Sequence, residues 1–405
     1  MMKGEVELKT GPFGTQLHAS DYVEEGTPVI NVRNIGFGEI REEKLEFISE
    51  ETVQRLSSHL LEPYDIVFGR KGAVERHVFI SAKYAGWFQG SDCLRLRFKS
   101  DDVFPRFISY YLLTDFHKQW MINQCSHGAT MASLNQEIIS RIPLLLPSYP
   151  TQRRIATVLS DYDDLIENNT RRIKLLRELR QLIFERYKKL HSNHTTNQTL
   201  GEIVDKVGGI VRTGPFGSQL HESDYSEVGI PVVMPKNIIE GRIVTNDIAR
   251  VPSDFASKLS NHTMNVGDIV YGRRGDIGRR AIITKRQQGW ICGTGCLRIS
   301  LKGELLHPRF LYEYLGQPEV VSLIASRAIG ATMPNLNTSI LRGISILMPD
   351  YKVQREFADT VLPYDELIEN IVEKNSLLRV MRDLLLPKLI SGEIDVSNIP
   401  EPVSN

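Results

Sequence analysis

The chain has 405 residues, more than one ordinary hydrophobic core organises, so two or more domains are expected. Its 49 Lys+Arg are balanced by 49 Asp+Glu, so net charge argues neither for nor against nucleic acid, and 41% hydrophobic residues are ordinary for a globular protein. No run of about eighteen apolar residues occurs, so a membrane-spanning helix is not expected.

The N-terminus, MMKGEVELKTGPFG, has no secretory apolar core. The four cysteines, Cys93, Cys125, Cys292 and Cys296, read as buried reduced thiols of a cytoplasmic protein. Cys292 and Cys296 lie four apart, but no second Cys or His pair at zinc spacing follows, so no metal is expected.

The run KTGPFGTQLHASDY at Lys9–Tyr22 returns as RTGPFGSQLHESDY at Arg212–Tyr225, an offset of 203 positions. The offset holds from DIVFGR at Asp65 to DIVYGR at Asp268, for Cys-Leu-Arg at Cys93 and Cys296, and for PRF at Pro105 and Pro308. It becomes 202 for GATM at Gly128 and Gly330, QR at Gln152 and Gln354, and Tyr162-Asp163 and Tyr364-Asp365. A period near 200 residues is a domain duplication rather than a solenoid. Within each copy, PVINVRNI, DIVFGR and CLRLRF, with their counterparts, read as short strands. PRFISYYLLT and PRFLYEYLG read as helices, and RIPLLLP and GISILMP as apolar strands ending at proline. The second copy has a lead-in, LGEIV at Leu200, without a counterpart, so the first unit starts short or the true start lies upstream.

A long amphipathic helix is predicted over Ser160–Leu190, roughly 45 Å long at about 1.5 Å per residue, and a second over Tyr364–Leu386. Ser160 is read as its N-cap, with Asp161, Asp163 and Asp164 in the first turn. Pro363, at the position of Asp161, supports a break before the long helix in both copies; Pro387 and Gly392 are expected to stop the second helix. Tyr162, Ile166, Ile173, Leu176, Leu179, Ile183, Tyr187 and Leu190 form one apolar stripe, and Tyr364, Ile368, Ile371, Leu378 and Leu385 the other. Asn169 and Asn375 fall on these stripes, where polar residues fix register at some cost in stability. The tail after residue 395 is expected to fray.

The loops carry the candidate ligand contacts. Gly69-Arg70-Lys71-Gly72 continues to Arg76 and His77, and Gly272-Arg273-Arg274-Gly275 to Arg279 and Arg280; each follows a predicted strand. Glycines let such loops approach a backbone, and the cations suit phosphate or the guanine edge, against the plainer reading of a solvated turn. Gln16 and His18, with Gln219 and His221, follow the two GPFG turns, where glutamine suits adenine; a purely structural turn is at least as good a reading. Thr130 and Thr332 in GATM are small enough to reach a phosphate, and Arg33-Asn34 and Lys236-Asn237 close a strand toward the same side.

Enzymatic signatures are absent: no HExxH, GxSxG, phosphate loop or GxGxxG, and no methyltransferase or nuclease cluster. The carboxylates Asp163, Asp164 and Glu167, like Asp365, Glu366 and Glu369, are explained by a helix start rather than acid–base work.

GPFGSQL at Gly214, DIVYGRRG at Asp268, GATMPNLN at Gly330, PDYKVQRE at Pro349, DELIEN at Asp365 and LLLPKLISGEI at Leu384, with most of them repeated in the first copy, give the chain its character. In that order and duplication it resembles the specificity subunits of type I restriction–modification enzymes. The resemblance implies an α+β (mixed) fold: two duplicated strand-rich target-recognition domains separated by a long antiparallel two-helix coiled coil, with pseudo-two-fold symmetry. The expected division is 1–149 and 200–349 for the recognition domains, 150–199 and 350–395 for the helical spacers, and 396–405 for a tail. It also implies a non-catalytic, cytoplasmic and nucleoid-associated subunit without its own cofactor, whose domains each read half of a split site in double-stranded DNA. The helices would act as a ruler and hold two modification subunits that use S-adenosylmethionine, to which restriction subunits using ATP and Mg add. The alternatives are the recognition subunit of a related type II system and a stand-alone DNA-modifying enzyme.

Overall fold

A computed structural model describes residues 6–12, 16–125, 132–192, 195–216, 219–275, 277–328 and 335–400. The chain divides into two compact units, residues 1–170 with 372–405, and residues 171–371. Each therefore holds one strand-rich body and half of each of two long helices.

In the first unit, five strands form a sheet in the order Val6–Thr10, Cys93–Phe98, Ile66–Gly69, His77–Phe79, Phe37–Gly38. Only the last pairing is parallel. A second sheet joins Tyr22–Val23, Glu46–Ile48, Thr27–Ile30 and Phe88–Gln89. The second unit repeats the main sheet with Ile210–Thr213, Cys296–Ser300, Ile269–Gly272 and Arg280–Ile282. The registers match across the duplication: Thr10 faces Leu94, and Thr213 faces Leu297. The strands are short, apolar and buried on the core side, as the alternation in DIVFGR and CLRLRF requires.

The duplicated Cys-Leu-Arg and Asp-Ile-Val motifs are structural. Arg95 is almost fully buried, pairs with Glu7 and donates to the Ser58 and Leu60 carbonyls; Asp65 takes both Arg97 Nε and Nη2 at 2.7 Å. The QR motif has the same character. Gln152 accepts from the Phe104 amide at 2.9 Å and donates to the Asp102 and Pro147 carbonyls; Gln354 does the same with His307, Leu305 and Pro349. One buried amide thus ties each long helix to the loop before the Pro-Arg-Phe helix. All four cysteines are buried and free, and burial pushes the Cys93 and Cys292 thiols up to about 12.

The long helices are longer than the sequence indicates. The first runs unbroken over Tyr149–Leu190 and the second over Tyr351–Ser391. Ser160 is therefore not a cap; its hydroxyl donates to the Thr157 carbonyl in mid-helix. Pro363 and Pro387 lie inside the second helix, where an interior proline costs about 3 kcal/mol. Burial of Phe357 and Val361 before Pro363, and of Ile368 and Ile371 after it, keeps the helix continuous through that penalty. Gly392 does stop it, at φ +77°, a conformation glycine alone adopts without strain. The described part of the tail is not frayed: Val396 is buried and Ile399 packs on the first unit's core, and residues 401–405 lie outside the described residues. Pro143–Leu146 is extended chain outside any sheet, whereas its counterpart Ser345–Met348 is a strand paired with Thr196–Thr199. Leu200, Ile203 and Val204 of the lead-in are core residues of the second unit.

The helices pair antiparallel inside each unit. In the first, Asp163 meets Arg382 at 2.6 Å and Asn169 meets Asn375 at 2.8 Å, so one number rises as the other falls. In the second, Arg180 meets Asp365 at 2.8 Å and Tyr187 meets Thr360 at 3.2 Å. Of the predicted pairing residues, Ile166, Ile173, Ile368 and Ile371 are buried; Tyr162, Leu176, Ile183, Tyr364, Leu378 and Leu385 are half-buried. Leu179 is exposed, and Phe184, outside the predicted stripe, is fully buried against Phe310 and Phe357.

Asn169 and Asn375 are buried, and Asn375 Nδ2 also reaches the Ile166 carbonyl at 3.3 Å. Their duplicated counterparts, Ile371 and Ile173, are buried apolar residues. Asn169→Ile alone is expected to cost about 1–3 kcal/mol, because it strands the Asn375 amide. Asn169→Ile with Asn375→Ile copies the other unit and is expected to recover most of that loss. Urea unfolding of the wild type, both single variants and the double variant checks it; additive losses would contradict the coupling.

Candidate nucleic-acid interface

The loops singled out by sequence gather at one end of each unit's main sheet. In the first unit, the strand Ile66–Gly69 delivers Arg70, whose amide donates to the Asp92 carbonyl at 2.8 Å and whose carbonyl accepts from Leu134 at 2.8 Å. Gly72 turns at φ +80° and donates to Ala132. In the second unit, Arg273 donates to Gly295 and accepts from Leu336, and Gly275 turns at φ +79°. Each Gly-Arg loop is thereby tied to the segment that follows GATM.

The GPFG run is anchored by its first glycine. A Cβ on Gly11 would stand 1.9 Å from the Gly90 carbonyl oxygen, and one on Gly214 2.0 Å from that of Gly293. Gly90 and Gly293 in turn donate to the Ile30 and Val233 carbonyls, which bring the turns Val32–Asn34 and Pro235–Asn237 to the same end. Four loops per unit therefore share one edge, with backbone–backbone contacts too close for any side chain.

The individual side chains sort as follows. Gln16, His18, Gln219 and His221 are exposed. Gln219 Oε1 accepts from the Phe216 amide at 3.3 Å, and the His18 and His221 amides are held by Asp21 and Asp224. Lys71 is exposed and pairs with Asp92 at 3.2 Å; Arg33 pairs with Glu46 at 2.8 Å. Lys236, Arg274 and Arg279 are exposed; Arg70 is half-buried, as is Arg76, which stacks over Phe37. Arg273 is half-buried, stacks over Phe216 and gives its Nε–H to the Leu336 carbonyl at 2.6 Å. Thr130 and Thr332, with the whole of both GATM runs, lie outside the described residues.

Two predicted contacts are corrected. Asn34 is fully buried, accepts from the Asn31 amide and donates to the Arg41 and Glu43 carbonyls. Asn237 is buried and accepts from the Met234 amide. Both asparagines are buried and organise the turn from within, so neither side chain is presented at the surface to a base. His77 is likewise interior: it bonds Ser109, and burial, with His117 adding to it, pushes its pKa down to about 3. Arg280 folds over Tyr312 and donates to that residue's carbonyl.

Other features escaped sequence reasoning. Arg55 donates to the Gln16 carbonyl at 2.7 Å and to Asp21 at 2.9 Å, bracing the exposed turn. Asp163 and Asp365 sit well inside their helices and serve as ion-pair partners, not as first-turn charges. The helices also keep apolar residues on the outside: Leu175, Leu179 and Leu182 in the second unit, and Leu377, Met381 and Leu384 in the first. These two sets are equivalent under the duplication and follow i, i+4, i+7 spacing, a single face of each helix. Among the described residues no group of three or more His, Cys, Asp or Glu is placed to hold a metal ion, and no helix is long and apolar enough to cross a membrane.

A sequence model of the type I restriction modification DNA specificity domain matches residues 14–178 and 200–379, one match per copy. The chain is 24% identical over 294 residues to the specificity subunit of the type I restriction enzyme MjaVIII from Methanocaldococcus jannaschii, covering 70% of this chain and 69% of that protein. It is 21% identical over 386 residues to the HindI specificity subunit from Haemophilus influenzae, covering 79% and 84%. The crystal structure of the type I restriction–modification S subunit from M. genitalium shares the fold, with a TM-score of 0.58 at 18% identity over 95% of this chain and 93% of that one.

Proposed function

The chain belongs to the type I restriction modification DNA specificity family, and on that premise we propose that each of its two units reads one half of a bipartite site in double-stranded DNA. The observation that carries this is the duplicated loop cluster: the same four backbone segments, bearing exposed Arg, Lys and Gln side chains, presented at the same sheet end in both units. Cations there suit phosphates, and Gln16, Gln219 and Arg279 suit base edges. The two sets differ in side chain, as at Glu75-Arg76-His77 against Gly278-Arg279-Arg280, so the two half-sites differ in sequence.

In this reading the chain is not itself catalytic and carries no cofactor. The long helices fix the spacing of the half-sites, and their equivalent exposed apolar faces each take one copy of a modification subunit. S-adenosylmethionine, and ATP with Mg, belong to the modification and restriction subunits, and the assembly works in the cytoplasm on nucleoid DNA. Reconstitution with the modification subunits, followed by mapping of methylated adenines, tests it. The expected product is methylation at two unlike half-sites separated by a constant gap. Methylation by the isolated chain, or one uninterrupted target, would overturn it.

A further inference from the structure

The duplication provides an internal control on charge. In the first unit both exposed cations at the loop end are already neutralised from within the fold: Lys71 by Asp92 at 3.2 Å, and Arg33 by Glu46 at 2.8 Å. In the second unit the cations persist, as Arg274 and Lys236, but the carboxylates do not: Gly295 stands at the place of Asp92, and Ala249 at that of Glu46. Among the described residues no carboxylate lies within 4 Å of Arg274 or Lys236. Glu75 is likewise replaced by Gly278, and acids also go the other way: Glu222 at the place of Ala19, Glu240 at that of Phe37, and Asp276 at that of Ala73 and outside the described residues.

From this we infer that the second unit is the electrostatic anchor of the chain on DNA, with Lys236 and Arg274 as its phosphate-positioning residues, while Arg33 and Lys71 at the same places of the first unit add little. The inference rests on the loop ends facing DNA. A cation free of a protein partner displaces condensed counterions when it meets a phosphate, and that release drives binding. A cation already held by a carboxylate exchanges one partner for another and brings a second negative charge toward the phosphate, so it releases little.

The test is the dependence of affinity on salt for the full chain and a mixed-sequence duplex, followed by fluorescence anisotropy. Each phosphate contact adds about 0.9 to the log–log slope. Lys236→Ala with Arg274→Ala is expected to reduce the slope by about 1.8, two such contacts. Arg33→Ala with Lys71→Ala is expected to reduce it by less than half as much. Glu46→Gln with Asp92→Asn releases the first unit's cations and is expected to steepen the slope, an effect that loss of folding does not produce. Equal reductions from the two cation pairs, or an unchanged slope after removing the carboxylates, would overturn the inference while leaving DNA recognition standing. A chain that binds no duplex at any salt concentration overturns both.

Discussion

Arg309→Met is expected to destabilise the second unit by about 3–5 kcal/mol, the cost of leaving buried charge uncompensated. Arg309 is almost fully buried, and its Nη2 lies 2.6 Å from Asp365 and 3.2 Å from Glu313. Arg180, from the opposite long helix, reaches the same two carboxylates at 2.8 and 2.7 Å. Two cations and two anions balance; without Arg309, two carboxylates, one of them buried, share one guanidinium. The first unit supplies the comparison. There Arg106, Arg382 and Asp163 hold the equivalent places, but Tyr110 replaces Glu313 and donates its hydroxyl to Asp163 at 2.6 Å. Arg106 lies 3.5 Å from Asp163 and is partly exposed, so Arg106→Met is expected to cost only about 1 kcal/mol. Trp290 belongs to the second unit and Trp87 and Trp120 to the first, so tryptophan fluorescence during urea unfolding, with the other tryptophans replaced by Phe, reports each unit. Equal losses for the two variants would contradict the network.

That network shows what a linear reading reaches and where it stops. The repeat, the strands DIVFGR and CLRLRF, the partnership of the two long helices and the place of Asn169 and Asn375 on their apolar stripes are all legible, because each depends on local alternation or on a pattern occurring twice. Helix boundaries were misread at Ser160 and Pro363, where good local cap chemistry is overridden by the packing of Phe357, Val361 and Leu159 into the two cores. The loop residues can be picked out by their repetition, but their electrostatic state is not legible in the sequence. Glu46 and Asp92 lie 13 and 21 positions from the cations they neutralise, and only the folded chain brings them together. Asn34 and Asn237 failed for a related reason. A polar residue at a strand end reads as a ligand, until the structure shows its amide spent on the turn itself.

The helix faces give the other large effect. Replacing Leu377, Met381 and Leu384 together by Glu is expected to remove one modification subunit from the assembled complex and leave the second bound. These three side chains, and their counterparts Leu175, Leu179 and Leu182, are between 41% and 67% exposed, so they contribute little to the chain's own core. Fully burying an exposed side chain of this size is worth about 1.5–3 kcal/mol, and about half of each is still to be buried, so the three together carry roughly 2.5–5 kcal/mol, on the order of a hundred- to a thousand-fold in affinity, before the penalty of burying three carboxylates is added. The two faces are equivalent by sequence but reside in different units, so each set of substitutions acts on one copy. The mass of the complex, measured by light scattering or native mass spectrometry, is expected to fall by one modification subunit for either triple variant, and by two when both are combined. An unchanged far-ultraviolet circular dichroism spectrum separates this from unfolding. Retention of both subunits in the combined variant would move the docking surface off the helices, and loss of both from a single triple variant would mean that the two copies bind as a unit rather than one to each face.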